Sequence, residues 1–254
     1  MLIFISFKSV SPALAALVVV GLLGAAPARA QRRPGATNPD GSLAPAAMAP
    51  PRAARLQPLF GGLTPAQATQ VIGAAQLRAI AASFASPTEA SAFFATKGFE
   101  YLNENQPDTA TYRFNLAWLL DPRNADAYRG LGVVASTQPT ADAAIGLLTS
   151  GLALAPTNTL LLSDLGASHL LRYGQTKKKK DLTTGTELLQ RATTLDAANA
   201  VAWQQLARGY YYQEKFAEAW AAVHKGQALS TGSLDFDLVS DLLAKLPDPQ
   251  GTFK

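Results

Sequence analysis

Few residues in this chain are of a type that does chemistry, and their spacing excludes most of what they could do. There are two histidines, His169 and His224, and no cysteine among 254 residues. A zinc centre draws three or four ligands from thiolate, imidazole and carboxylate, and on a helix two of them commonly stand one turn apart. Neither histidine has such a partner, so no metal site is expected and no cofactor. Neither a nucleophile elbow of the form G-x-S-x-G nor a phosphate-cradling G-x-x-x-x-G-K-[ST] is present, which leaves no catalytic residue to nominate and reads as a non-enzymatic chain. His224, beside Lys225 near a helix end, reads as a surface residue facing the helix dipole. Four consecutive lysines, Lys177, Lys178, Lys179 and Lys180, have the charge to touch phosphates or lipid headgroups. They lack interleaved aromatics, and the expectation is a hydrated loop. Arg32 and Arg33 read the same way.

The elements that would position these residues are bounded first by composition. Apolar residues make up 48% of the chain, enough for a substantial helical core. The formal charge is +4, and it falls to +2 if a segment carrying Lys8 and Arg29 is removed, so the balance does not favour a nucleic-acid partner. Without cysteine there is no disulfide framework and no lipid-modified N-terminal cysteine.

Residues 1–30 have the order of a secretory signal. Lys8 precedes an apolar run from Ala13 to Gly24, and Ala28-Arg29-Ala30 offers small residues for cleavage. The mature chain is expected to start at Gln31, in the periplasm or at the cell surface, with no integral membrane segment remaining. The alternative is an uncleaved anchor, because residues 9–26 carry no charge. Arg32-Arg33 comes after the apolar run and so is not a twin-arginine signal. Residues 31–63 hold Pro34, Pro39, Pro45, Pro50, Pro51 and Pro58 among Gly, Ala and Asn, and read as a flexible linker. Leu56, Leu59 and Phe60 are candidates to dock locally on the helices beyond it.

Helix signals begin at Thr64-Pro65-Ala66-Gln67, an N-cap with proline in the first turn and glutamine three residues after the cap. They predict one packing helix over residues 64–85. Ser86-Pro87-Thr88-Glu89 closes it and opens the next. Beyond this the chain repeats. Gly98, Gly132 and Gly166 stand 34 residues apart, as do Ala110 and Ala144, and Pro122 and Pro156. A fourth copy, with Ala207, Ala219 and Thr231 in those slots, is displaced by 41, one period plus seven inserted residues. The insertion falls at residues 174–182. Asn124, Asn158 and Asn199 keep the register and stand where an N-cap is needed for each next unit.

This pattern resembles the tetratricopeptide repeat, a helix–turn–helix with aromatic, Leu-Gly and tyrosine slots in its first helix and alanine, aromatic and proline slots later. Phe94, Gly98, Tyr101, Ala110, Phe114, Ala117 and Pro122 fill the slots of the first unit, with Lys97 departing from leucine. Tyr128, Leu131, Gly132, Ala144, Leu148, Gly151 and Pro156 fill the second, Ala135 replacing tyrosine. The third is weaker, with Leu162, Leu165, Gly166, His169, Gly185, Leu189 and Ala192, and it makes His169 a packing residue. Trp203, Leu206, Ala207, Tyr210, Ala219, Val223 and Gly226 restore the fourth.

The resemblance implies an all-α chain, a right-handed α-solenoid of about four helix–turn–helix units over residues 91–124, 125–158, 159–199 and 200–231, with flanking capping helices. The C-terminal cap is expected over residues 232–247, where Leu234, Leu238, Val239, Leu242, Leu243 and Leu246 share a face, and residues 248–254 form a tail. The resemblance also implies a groove lined by first-helix residues three before, one after and four after each small residue. These are Ala95, Phe99 and Leu102; Arg129, Val133 and Ser136; Ser163, Ala167 and Leu170; and Gln204, Arg208 and Tyr211. From that set Phe99, Arg129, Val133, Ser163, Gln204, Arg208 and Tyr211 are the candidate binding residues. The lysine and asparagine clamp for a C-terminal carboxylate, found in some chaperone-binding relatives, is missing. The implied partner is a protein or peptide segment bound by apolar and aromatic contacts, with Arg129 and Arg208 orienting it. Arg129→Ala and Tyr211→Ala should then weaken binding without lowering the melting temperature. The function read from the resemblance is a scaffold of the bacterial cell envelope, the alternative being a structural or self-associating module with no other ligand.

Overall fold

The computed structural model describes residues 52–139 and 141–254, and these fold as helices α1 to α12 without a strand among them. The residues of the expected export signal lie outside this range, as do residues 31–51 of the expected linker.

Four hairpins carry the fold: α4 (Pro87–Asn103) with α5 (Pro107–Leu120), α6 (Ala125–Ala135) with α7 (Asp142–Leu154), α8 (Thr159–Thr176) with α9 (Lys179–Leu195), and α10 (Ala200–Tyr212) with α11 (Phe216–Leu229). One contact recurs in each. A β-carbon on Gly98 would lie 2.4 Å from the Phe114 ring, one on Gly132 2.5 Å from Leu148 and one on Gly166 2.7 Å from Leu189. In the fourth hairpin Ala207 and Val223 occupy the same two positions in one buried cluster. The small residue therefore lets each second helix lay a large side chain against the backbone of its first helix, and neighbouring hairpins close the remaining sides. Asn124, Asn158 and Asn199 each cap the next helix, their side chains accepting from the amides of Asp126, of Leu160 and Leu161, and of Ala202.

The flanks differ from expectation in four ways. The helix expected over residues 64–85 is two, α2 (Pro65–Ile72) and α3 (Ala74–Ala82). The Thr64 capping box forms, but Gly73 at φ 94° breaks the ladder, a conformation that residues with a β-carbon rarely adopt.

Residues 52–63, read as the end of a flexible linker, are docked along their length, with Leu59 and Phe60 packed as expected and Leu56 exposed. A 3₁₀ turn (Arg52–Leu56) leads to α1 (Leu59–Gly62), whose φ angles are all positive, and Phe60 is fully buried 6.3 Å from the Trp118 ring. Asn115, fully buried on α5, donates from Nδ2 to the carbonyls of Arg55 at 3.0 Å and Gln57 at 2.8 Å. Arg55 in turn donates to the Val71 carbonyl on α2. Asn115→Ala should cost about 1–3 kcal/mol. Hydrogen exchange should speed up over residues 52–63 and stay unchanged in α10 and α11.

The seven inserted residues do not make a loop. They lengthen α8 and α9, with Lys177 as the left-handed C-cap of α8 and Lys178 as the N-cap of α9, so the four lysines stand on a helical tip.

The C-terminal cap is shorter than its apolar pattern: α12 runs Phe236–Leu243, capped by Asp235 and ending before Pro247. Residues 248–254 fold back onto α11. Phe253 stacks on Trp220 and His224 at 5.8 and 5.9 Å, and Trp220 Nε1 donates to the Leu246 carbonyl at 3.0 Å. His224 thus faces the fold, its Nε2 2.7 Å from Asp248 Oδ1. Burial pushes the Asp248 carboxyl up, but the Gln250 and Phe253 amides, together with His224, outweigh it and hold the group at about 2. A depressed carboxyl stabilises the fold above its unfolded pKa and loses that effect as pH falls toward the folded one. Between about pH 4 and 2 the tail should therefore detach, at a cost on the order of 1–2 kcal/mol. Trp220 emission should shift red in that window and already be shifted at neutral pH in Asp248→Ala.

Candidate protein-binding face

The first helices α4, α6, α8 and α10 carry the expected groove residues, and the structure divides them by row. The row three residues before each small residue is inside. Ala95, Ser163 and Gln204 are each 2% exposed, and the Arg129 side chain 13%. Gln204 donates from Nε2 to the Val223 carbonyl at 3.1 Å and lies against Gly226, so it joins α10 to α11 and offers a partner nothing. Ser163 and Gln204 are thereby corrected from binding residues to packing residues. Leu170, at 2% exposure, is core as well.

Arg129 is held from two sides. Its Nε donates to Asp164 Oδ2 at 2.7 Å, and its guanidinium lies 4.8 Å from the centre of the Phe99 ring. Burial pushes the Asp164 carboxyl up and Arg129 pulls it down, with a net upward shift. The pair ties α6 to α8, and Arg129 is a structural cation. Arg208 is likewise engaged, with Asp235 at the start of α12, although a quarter of its side chain stays exposed. Neither arginine is free to orient a ligand without giving up an acid partner.

What the face presents are the other two rows, each half-buried: Phe99 and Leu102 on α4, Val133 on α6 and Ser136 at its C-cap, Ala167 on α8, and Tyr211 on α10. Phe99 packs edge-on against Phe114 at 4.9 Å. Tyr211 lies between Tyr212 and Phe216, both ring centres at 5.9 Å, and Tyr212 meets Tyr173 of α8 at 5.3 Å. This run of rings from α8 to the start of α11 was not anticipated. The only sequence signal is Tyr173, immediately before the insertion, at a position to which the repeat pattern gives no role.

Two further groups escaped the sequence reading. His169 Nδ1 lies 2.8 Å from Asp181 Oδ1, and Arg172 binds both oxygens of Asp181 and reaches Asp142 Oδ1 at 2.7 Å. Arg172 foremost holds the Asp181 carboxyl below its usual range. The Arg129–Asp164 pair is separated by 35 residues, one period plus one, so opposite charges at that offset are the signal that could have found it. Among the described residues no group of three or more acidic, histidine or cysteine side chains is arranged to hold a metal, and no helix is long and apolar enough to cross a membrane.

Paired helices with a small residue at each crossing, stacked four deep and closed by α12, define a tetratricopeptide-type solenoid. No protein-family model and no curated protein matches the chain. Solved structures do. A PilF structure from Pseudomonas aeruginosa matches 65% of this chain and 74% of its own with a TM-score of 0.53 at 22% identity. A MamA structure matches 61% of this chain and 91% of its own, with a TM-score of 0.44 at 18% identity. The PilF likeness is one of fold: the described residues form an all-α, right-handed solenoid of tetratricopeptide-type repeats with flanking helices.

Proposed function

We propose that this chain is a non-catalytic scaffold of the bacterial cell envelope, exported by its N-terminal segment, that holds an extended peptide or protein segment along the first-helix face. The observation that carries the reading is the set Phe99, Leu102, Val133, Ser136, Ala167 and Tyr211, accessible in all four units and uncharged, the arginines beside it, Arg129 and Arg208, being engaged by Asp164 and Asp235. Half-exposed aromatic and small apolar side chains on a rigid stack suit an extended ligand anchored at intervals. A photo-crosslinking residue placed at Ser136 or Ala167 in cells should give one discrete adduct, lost when Tyr211→Ala is added and not formed from Ser150 on α7. Identical adducts from Ser150 would sink the reading.

Self-association is the second reading, favoured by Phe236, 69% exposed, and Leu229, 46% exposed, on either side of the turn into α12. An exposed apolar end is where a second stack would continue the first. Light scattering should then give a mass that rises with concentration for the native chain and stays constant for Phe236→Ser.

A further inference from the structure

Separate from the groove, the third hairpin overhangs its neighbours. α8 runs ten residues past Gly166, whereas α4 and α10 run five past Gly98 and Ala207, and α6 three past Gly132. At 1.5 Å per residue its end stands roughly 7–10 Å proud of the stack. The overhang is braced on both sides, by Gln175 Nε2 donating to the Pro139 carbonyl at 3.1 Å and by Tyr173 against Tyr212 at 5.3 Å. At its end stand Lys177, Lys178, Lys179 and Lys180, all exposed and none in an ion pair among the described residues. Lys177 leans on the Tyr173 ring at 5.6 Å. Asp181, next to Lys180 in the chain, is taken by Arg172, as is Asp142. The rest of the body has the opposite sign. Residues 52–254 hold 18 Lys and Arg against 17 Asp and Glu, and with the four tip lysines set aside the balance is 14 against 17.

We propose that this tip docks the protein on an anionic lipid bilayer, in peripheral contact. A braced, convex, positive end on a body of net negative charge makes a dipole that turns its tip toward a negative plane. A protruding end fits a plane better than it fits a partner's binding groove, and lysines are flexible point charges that need no fixed geometry from the headgroups they meet.

Sedimentation of the full chain with vesicles tests this. Because residues 9–26 are apolar, the quantity that counts is the preference for vesicles containing 30% phosphatidylglycerol over pure phosphatidylcholine. At 0.1 M salt that preference should be at least tenfold and should vanish at 0.5 M salt. Replacing all four tip lysines by glutamine should abolish it, while Lys245→Gln with Lys254→Gln keeps it. If the fourfold variant melts below the native chain, Lys178→Gln with Lys180→Gln should still remove a large part of the preference. A fourfold variant that keeps the preference, or a native chain that has none, overturns the proposal. So does a native chain that binds soluble polyglutamate and ignores the anionic vesicles, which would assign the tip to an acidic protein.

Discussion

Gly130→Ala is expected to destabilise the fold by about 2–3 kcal/mol, because the added β-carbon would sit 2.1 Å from Phe114 Cε1. The ring has no room to retreat. A β-carbon at Gly98 would also lie 2.4 Å from that ring, so the backbones of α4 and α6 both close on the phenyl group at a glycine. Overpacking of this kind is relieved by moving backbone, which would part the first two hairpins. A thermal melt should drop by roughly 5–10 °C for a body of this size. Phe114→Leu, which removes the edge of the ring, should cost about 1 kcal/mol alone and recover at least as much in the Gly130→Ala background. Additive losses in that double-mutant cycle would mean that the ring is not what the methyl group meets.

Arg129→Ala should be costlier still, about 3–5 kcal/mol, since it leaves the Asp164 carboxylate buried without its partner and strips the Phe99 ring of its cation. Asp164→Asn should cost far less. Burial already pushes that carboxyl up, and an amide oxygen can still accept from Arg129 Nε. Urea unfolding of the two variants separates the cases, and equal losses would mean that the charge on Asp164 matters more than the bond. The expectation that Arg129→Ala spares stability is therefore replaced. Tyr211→Ala, at a half-buried ring, remains the cleaner test of binding.

Such pairs matter in a repeat stack because of how the stack is built. Each hairpin touches only its neighbours, so a lost tie between α6 and α8 is not shared across a single core. Arg208 and Asp235 make a comparable tie from a different slot at the far end, where they join the last repeat to its cap.

Most of the repeat body was legible in the chain itself. Gly98, Gly132 and Gly166 mark the crossings, the asparagines mark the helix starts, and the order of hairpins comes from the period alone. The reason is that the contacts they encode are local: a small residue and the large one sixteen positions on, or twenty-three across the insertion, meet wherever two helices are joined by a short turn. What the sequence left open was every contact whose partner lies outside that repeating frame. Asn115 reaches back 60 residues to Arg55, and Asp248 reaches His224 from a stretch that looks like a loose end. The insertion became helix because its residues continue two helices already under way. On the binding face, period and residue type placed Ser163, Gln204 and Tyr211 alike among the groove residues. Only the packed structure decided that the first two are covered and the third is not, because exposure depends on what neighbouring helices lay over a side chain, and a repeating slot does not record its neighbours.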